Sequence, residues 1–105
     1  MKCYRVVVSI DAKEDLKRYI RYLRQVKLSP QAAKNVLEDF KATRKSLSIC
    51  AGSIAQPISE KLRERGLRRL NFQKHNYFLL YKLEGELAII TNIFHGLEDL
   101  ENKLR

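Results

Sequence analysis

LRRLNFQ at 67–73, NYFLLYKL at 76–83 and GELAIITNIFH at 85–95 decide the fold of this chain. The second run is rich in aromatic residues and the third in β-branched ones, the first alternates apolar with polar residues from Leu70 on, and turn-forming residues separate them, which predicts three consecutive strands. Lys74-His75-Asn76 makes the first turn, with His75 a solvated surface residue. Glu84-Gly85 makes the second, where the glycine is free to take positive φ. In the first run Leu70 and Phe72 share a face with Arg68, while Arg69, Asn71 and Gln73 point the other way. In the third run Leu87, Ile89, Thr91 and Ile93 alternate with Ala88, Ile90, Asn92 and Phe94. Both sets are mainly apolar, which places this strand centrally in a sheet. It ends on His95, and Leu97, Leu100 and Leu104 beyond it predict a short C-terminal helix.

Working outward, residues 3–10 alternate Tyr4, Val6, Val8 and Ile10 with Cys3, Arg5, Val7 and Ser9, which reads as a first strand. Asp11 with Glu14 three residues later marks a helix start. Leu16, Tyr19, Ile20 and Leu23 then recur at helical spacing until about Val26. Lys17, Arg18, Arg21 and Arg24 fill the outer face. Ser29-Pro30 restarts a helix, serine as the cap and proline in the first turn. Its stripe is Ala33, Val36, Leu37, Phe40, Arg44 and Leu47. The short link between the two helices predicts an antiparallel hairpin, whose apolar stripes need a sheet to cover. From Ser48 to Gln56 the residues turn small and polar, which predicts an irregular segment. Glu60–Arg65 reads as a turn of helix closed by Gly66. The fold expected is α+β, one domain over 1–105: a strand, a helical hairpin, then an antiparallel three-stranded meander. The hairpin lies on one face, and the first strand inserts beside the last.

The chain has 105 residues, 45% of them hydrophobic, enough for one core. Lysine and arginine number 21 against 12 acidic residues, a net charge of +9, which favours phosphate backbones or acidic partners. Arg63, Arg65, Arg68, Arg69 and Lys74 concentrate five of these cations within twelve positions. Strand alternation sends Arg68 and Arg69 to opposite faces, so at least one reaches a partner-facing surface as a phosphate- or partner-binding residue. No run approaches the roughly 20 apolar residues of a membrane span. A cytoplasmic protein with reduced Cys3 and Cys50 is expected. These cysteines, with His75 and His95, lack ligand spacing, and no glycine-rich phosphate loop is present; neither metal nor cofactor is expected.

The order strand, helix, helix, three-stranded meander resembles the RelE/ParE superfamily of bacterial toxins over nearly the whole chain. SIDAKEDLKRYIRYL, NYFLLYKLEGELAIITNI and FHGLEDLENKL carry the likeness through their order and spacing. The resemblance implies a growth-inhibiting toxin of a type II toxin–antitoxin module, a plasmid-stabilisation type, held inactive by a cognate antitoxin. One branch cuts mRNA on the ribosome; the other poisons DNA gyrase. Metal-free RNA cleavage needs a base, an acid and a cation for the phosphate. Glu60 and His95 stand where the nuclease branch places its glutamate and terminal histidine, so they are the candidate catalytic pair. Phe78 stands where that branch places an arginine, and a phenyl ring cannot neutralise phosphate charge. Arg68, Arg69 or Lys82 are the candidate substitutes. The residues therefore favour the binding branch, with gyrase the expected target and ribosome-dependent mRNA cleavage the alternative.

Overall fold

The structure is a computed structural model that describes residues 3–54 and 59–96. Its elements run β1 (Arg5–Val8), α1 (Ile10–Gln25), α2 (Pro30–Cys50), α3 (Glu60–Glu64), β2 (Arg68–Asn71), β3 (Tyr77–Glu84) and β4 (Leu87–His95). The strand order is β1-β4-β3-β2. β1 runs parallel to β4 with Val7 opposite Ile89, whereas β2, β3 and β4 form the antiparallel meander. A parallel partner joined through two helices and a central, doubly apolar β4 agree with the sequence reading. The α+β fold holds as expected. The C-terminal helix predicted from Leu97, Leu100 and Leu104 falls outside the described residues.

Helix α1 starts two residues earlier than Asp11 and Glu14 suggest. Ser9 is the cap: its Oγ accepts from the Ala12 N–H at 3.1 Å and itself donates to the Thr91 carbonyl at 3.0 Å. A serine that can serve helix and sheet together outcompetes an aspartate already inside the first turn. Helix α2 is capped by Ser29 with Pro30 following, as expected, and Leu28 before it takes a left-handed φ of 51°. α2 continues to Cys50, past the Ser48 boundary expected for irregular structure. The Tyr4 N–H donates to the Ser48 carbonyl at 2.7 Å, so tertiary docking on β1 supports this last turn. The buried stripe of α2 is Ala33, Val36, Asp39, Phe40, Thr43 and Leu47. Arg44, placed on that stripe by periodicity, is exposed. Thr43 fills the inward position because its hydroxyl donates to the Asp39 carbonyl one turn back, at 2.8 Å.

The hairpin covers one face of the sheet, packing Val36, Phe40 and Leu47 against Leu79, Tyr81, Ala88, Ile90 and Ile93. On the opposite face Leu62 of α3 and Leu67 cover Phe78, Leu80 and Phe94, forming a second and smaller cluster. Helix α3 is therefore an exception to an arrangement with all helices on one side. Gly66, at φ 69°, ends α3 in the left-handed region and turns the chain into β2.

A bulge in β4 breaks the alternation expected there. Leu80 pairs with Asn92 but Tyr81 pairs with Ile90, leaving Thr91 as the extra residue. Ile93 thereby joins the face of Ala88 and Ile90. β1 ends opposite Ile90, so among the described residues the edge of β4 beyond it has no strand neighbour. Side chains of the first helix supply the missing bonds. Asp15 Oδ2 accepts from the Ile93 N–H at 2.9 Å, and Tyr19 Oη accepts from the His95 N–H at 3.1 Å. With Ser9 on Thr91, three side chains bond the backbone that a fifth strand would have bonded.

Candidate partner-binding surface

β2 and β3 build the centre of the far face. Asn71 pairs with Phe78 and Arg69 with Leu80, which sets Arg69 diagonal to Phe78 on one side of the sheet. The Arg69 guanidinium lies 3.8 Å from the Phe78 ring centroid, and its Nε donates to Asn71 Oδ1 at 2.9 Å. One flat side is thus fixed on an aromatic ring and one edge on an amide, and the remaining donors point outward. Partial burial nudges the guanidinium pKa down, and the group stays cationic. Among the described residues no carboxylate partners it. The Phe78 position, read as a lost arginine, is 1% exposed and belongs to the cluster under Leu62 and Phe94. The neighbouring strand brings a cation over the ring.

Arg68 goes to the hairpin side, as alternation requires, where its Nη1 donates to the Ile54 carbonyl at 2.8 Å. Tyr81 works beside it: its hydroxyl donates to the Ala51 carbonyl at 2.7 Å, and burial pushes its pKa up to about 12. Arg68 and Tyr81 together tie the segment after α2 to the sheet. Arg63 and Arg65 belong to α3 and its C-cap, on the far side, and both are exposed. Lys74 sits in the β2–β3 turn beside α2, lining a cavity with Asn35, Glu38 and Ala42. The five clustered cations therefore divide three ways: Arg63, Arg65 and Arg69 to the far side, Arg68 inward, Lys74 to the α2 edge. Lys82 pairs with Glu84 at 3.0 Å.

The two candidate catalytic residues lie on opposite sides of the sheet. His95 shares the Ile93 face, and its ring meets the Tyr77 ring edge-on at a centroid distance of 5.0 Å. It lines a cleft of about 640 Å³ with Tyr19, Tyr22, Tyr77, Arg18 and Lys27. Glu60 opens α3 on the far side, in the first turn, where an acid suits the helix dipole. The arrangement can recognise anions; it does not bring Glu60, His95 and Arg69 around one point.

Sequence reasoning missed Asp39. This carboxylate is 4% exposed and accepts from three successive backbone N–H groups, Gln73, Lys74 and His75, at 3.1, 3.0 and 2.8 Å. It also meets His75 Nδ1 at 2.7 Å. His75 is accordingly a half-buried partner of α2, a correction to its expected place on open surface. Burial pushes the Asp39 carboxyl up, but the His75 ring and the three backbone donors outweigh it and hold it below the usual range. The available signal was an aspartate at an inward helical position, between Val36 and Thr43. Among the described residues no group of three or more His, Cys, Asp or Glu side chains is placed to hold a metal ion. No helix among them is long and apolar enough to cross a membrane.

A helical hairpin on a mixed four-stranded sheet, with a cationic far face, defines a small α+β domain. Residues 6–100 match the family model described as ParE toxin of type II toxin-antitoxin system, parDE, and the chain belongs to that family. Of solved structures, it is similar to a chain of the chromosomal ParDE toxin–antitoxin system from P. aeruginosa. That likeness has a TM-score of 0.74 at 20% identity, covering 89% of this chain and 96% of that one. It is also similar to a chain of the RelBE2 toxin–antitoxin complex from Mycobacterium tuberculosis, with a TM-score of 0.54 at 22% identity. There the coverage is 89% of this chain and 98% of that one. No curated protein matches significantly.

Proposed function

We propose that this ParE-type toxin arrests growth in the bacterial cytoplasm by binding, with DNA gyrase as its target and a cognate antitoxin as its inhibitor. The observation that carries this reading is the arrangement around Phe78. Where the nuclease branch places an arginine there is a buried ring, and Glu60 and His95 stand on opposite sides of the sheet from each other. A cation held rigidly outward without nearby acid–base partners suits recognition better than phosphoryl transfer. Arg69 then serves as the anchor for an acidic group of the target, and an antitoxin neutralises the chain by covering the same face.

The experiment is a supercoiling assay with purified gyrase and the full chain. Inhibition that disappears on adding the cognate antitoxin supports the reading; undisturbed supercoiling at high excess overturns it. Mapping mRNA 5′ ends shortly after induction tests the alternative, since codon-positioned cuts would establish ribosome-dependent cleavage by a nuclease involving His95 and Glu60.

A further inference from the structure

We infer that the outer face of the helical hairpin is a docking groove for the phosphodiester backbone of double-stranded nucleic acid. It lies on the side of the molecule away from Arg69. Lys17, Arg21 and Arg24 of α1 line a groove of about 360 Å³ whose α2 wall is Leu37. Lys41, Arg44 and Lys45 line the next groove, of about 460 Å³, which runs on to Val6 of β1. Leu37, Lys41 and Arg44 follow one another at i, i+4 and i+7 along α2, so the two grooves are consecutive lengths of one track. On α1 the cations repeat the same spacing at 17, 21 and 24. A rise of about 6 Å per four residues is close to two axial phosphate steps of one strand, roughly 3.4 Å each.

Apart from Lys17, which Glu14 pairs, this charge is uncompensated. Arg21, Arg24, Lys41, Arg44 and Lys45 are exposed and have no acidic partner among the described residues. Three of the hairpin's acids are turned elsewhere. Asp15 bonds the Ile93 N–H and Arg18, Asp39 is buried, and Glu38 lines the cavity beside His75. Glu14 pairs with Lys17 at 3.7 Å. The composition favours nucleic acid over a protein partner. Protein interfaces deplete lysine and gather aromatics, whereas nucleic-acid interfaces are strongly positive. None of the large exposed apolar side chains, such as Tyr22, Val26 or Leu28, lines this track. Leu16, Ile20 and Leu37 form a half-buried aliphatic floor, and lysine and arginine form the walls.

The test is the anisotropy of a labelled DNA duplex of arbitrary sequence, about two helical turns long, titrated with the full chain over a series of salt concentrations. The quadruple variant Arg21→Gln, Arg24→Gln, Lys41→Gln, Lys45→Gln changes exposed helical positions to a good helix former, so circular dichroism should match the parent. Removing four phosphate contacts is expected to reduce the magnitude of the log K against log[salt] slope by roughly 3 to 4. The double variant Arg63→Gln, Arg65→Gln on α3 is expected to leave that slope unchanged. An RNA duplex run in parallel identifies which polymer is preferred. The inference is overturned by three results: no salt-dependent binding, a slope indifferent to the quadruple variant, or competition by polyglutamate as effective as that by the duplex. The last result would assign the track to an acidic protein.

Discussion

Leu79 and Leu80 are neighbours in β3, both fully buried, yet they point into different structures. Leu79 enters the large core beneath the hairpin, together with Val36 and Phe40 of α2 and Ile93 of β4. Leu80 enters the small cluster beneath α3, a single helical turn. One side of the sheet holds the fold together, and the other is a thin cover that sets Arg69 in place. Arg69 lies where the cover is thin, because an exposed guanidinium needs only one ring and one amide to fix it.

Paired truncations give the sharpest way to break this contrast. Leu79→Ala should cost about 4 kcal/mol and Leu80→Ala about 3, since a cluster under one loose turn can partly collapse. Urea denaturation of both variants measures the difference, and equal losses would make the two sides equivalent. Next in size is Asp39→Asn, expected to cost about 2 to 3 kcal/mol by weakening its charge-assisted bonds to the turn. Its pH dependence has a definite sign. The folded carboxyl is held below the usual range, so its stabilisation is full above the unfolded value near ~3.9. That stabilisation is lost as pH falls through the folded pKa, because the unfolded state binds the proton first. The stability gap between parent and variant should therefore close below about pH 4.

Tyr81→Phe comes third, at about 1 to 2 kcal/mol, because it leaves the Ala51 carbonyl without its donor. Smallest in stability is Arg69→Ala, where an exposed cation–π contact contributes less than about 1 kcal/mol. Growth arrest on induction should nevertheless be lost in Arg69→Ala and only weakened in Arg69→Lys, which keeps the charge without the fork. His95→Ala should leave growth arrest intact; loss of arrest with unchanged folding would return that histidine to the chemistry.

The elements were largely legible because they depend on local rules. Ser29-Pro30 announces α2 without help from elsewhere, and period-two alternation is enough to send Arg68 and Arg69 to opposite faces. Features that depend on distant partners were not legible. Thr91 is a bulge in a strand whose two alternating sets each hold one polar residue, Thr91 and Asn92, so the pattern does not mark where the register slips. Asp39 sits inward because a turn 34 to 36 positions away offers it three N–H groups. Arg69 was readable as a candidate by charge, but not its seat on Phe78, since that depends on the register of β2 against β3. His75 looked like surface and Asp39 passed unnoticed because each is explained only by the other, 36 positions away.

The three side chains that α1 lends to the edge of β4 make that edge a gauge of whether the helix is seated. Backbone amides at an unpaired sheet margin ordinarily exchange their hydrogens with solvent readily. Those of Ile93 and His95 are held by Asp15 and Tyr19, so their exchange waits on α1 lifting away. A ligand that clamps the hairpin should slow these two amides together, and one that pries it loose should speed them together. Deuterium uptake at two positions would then report, without any label, how a partner handles the helices.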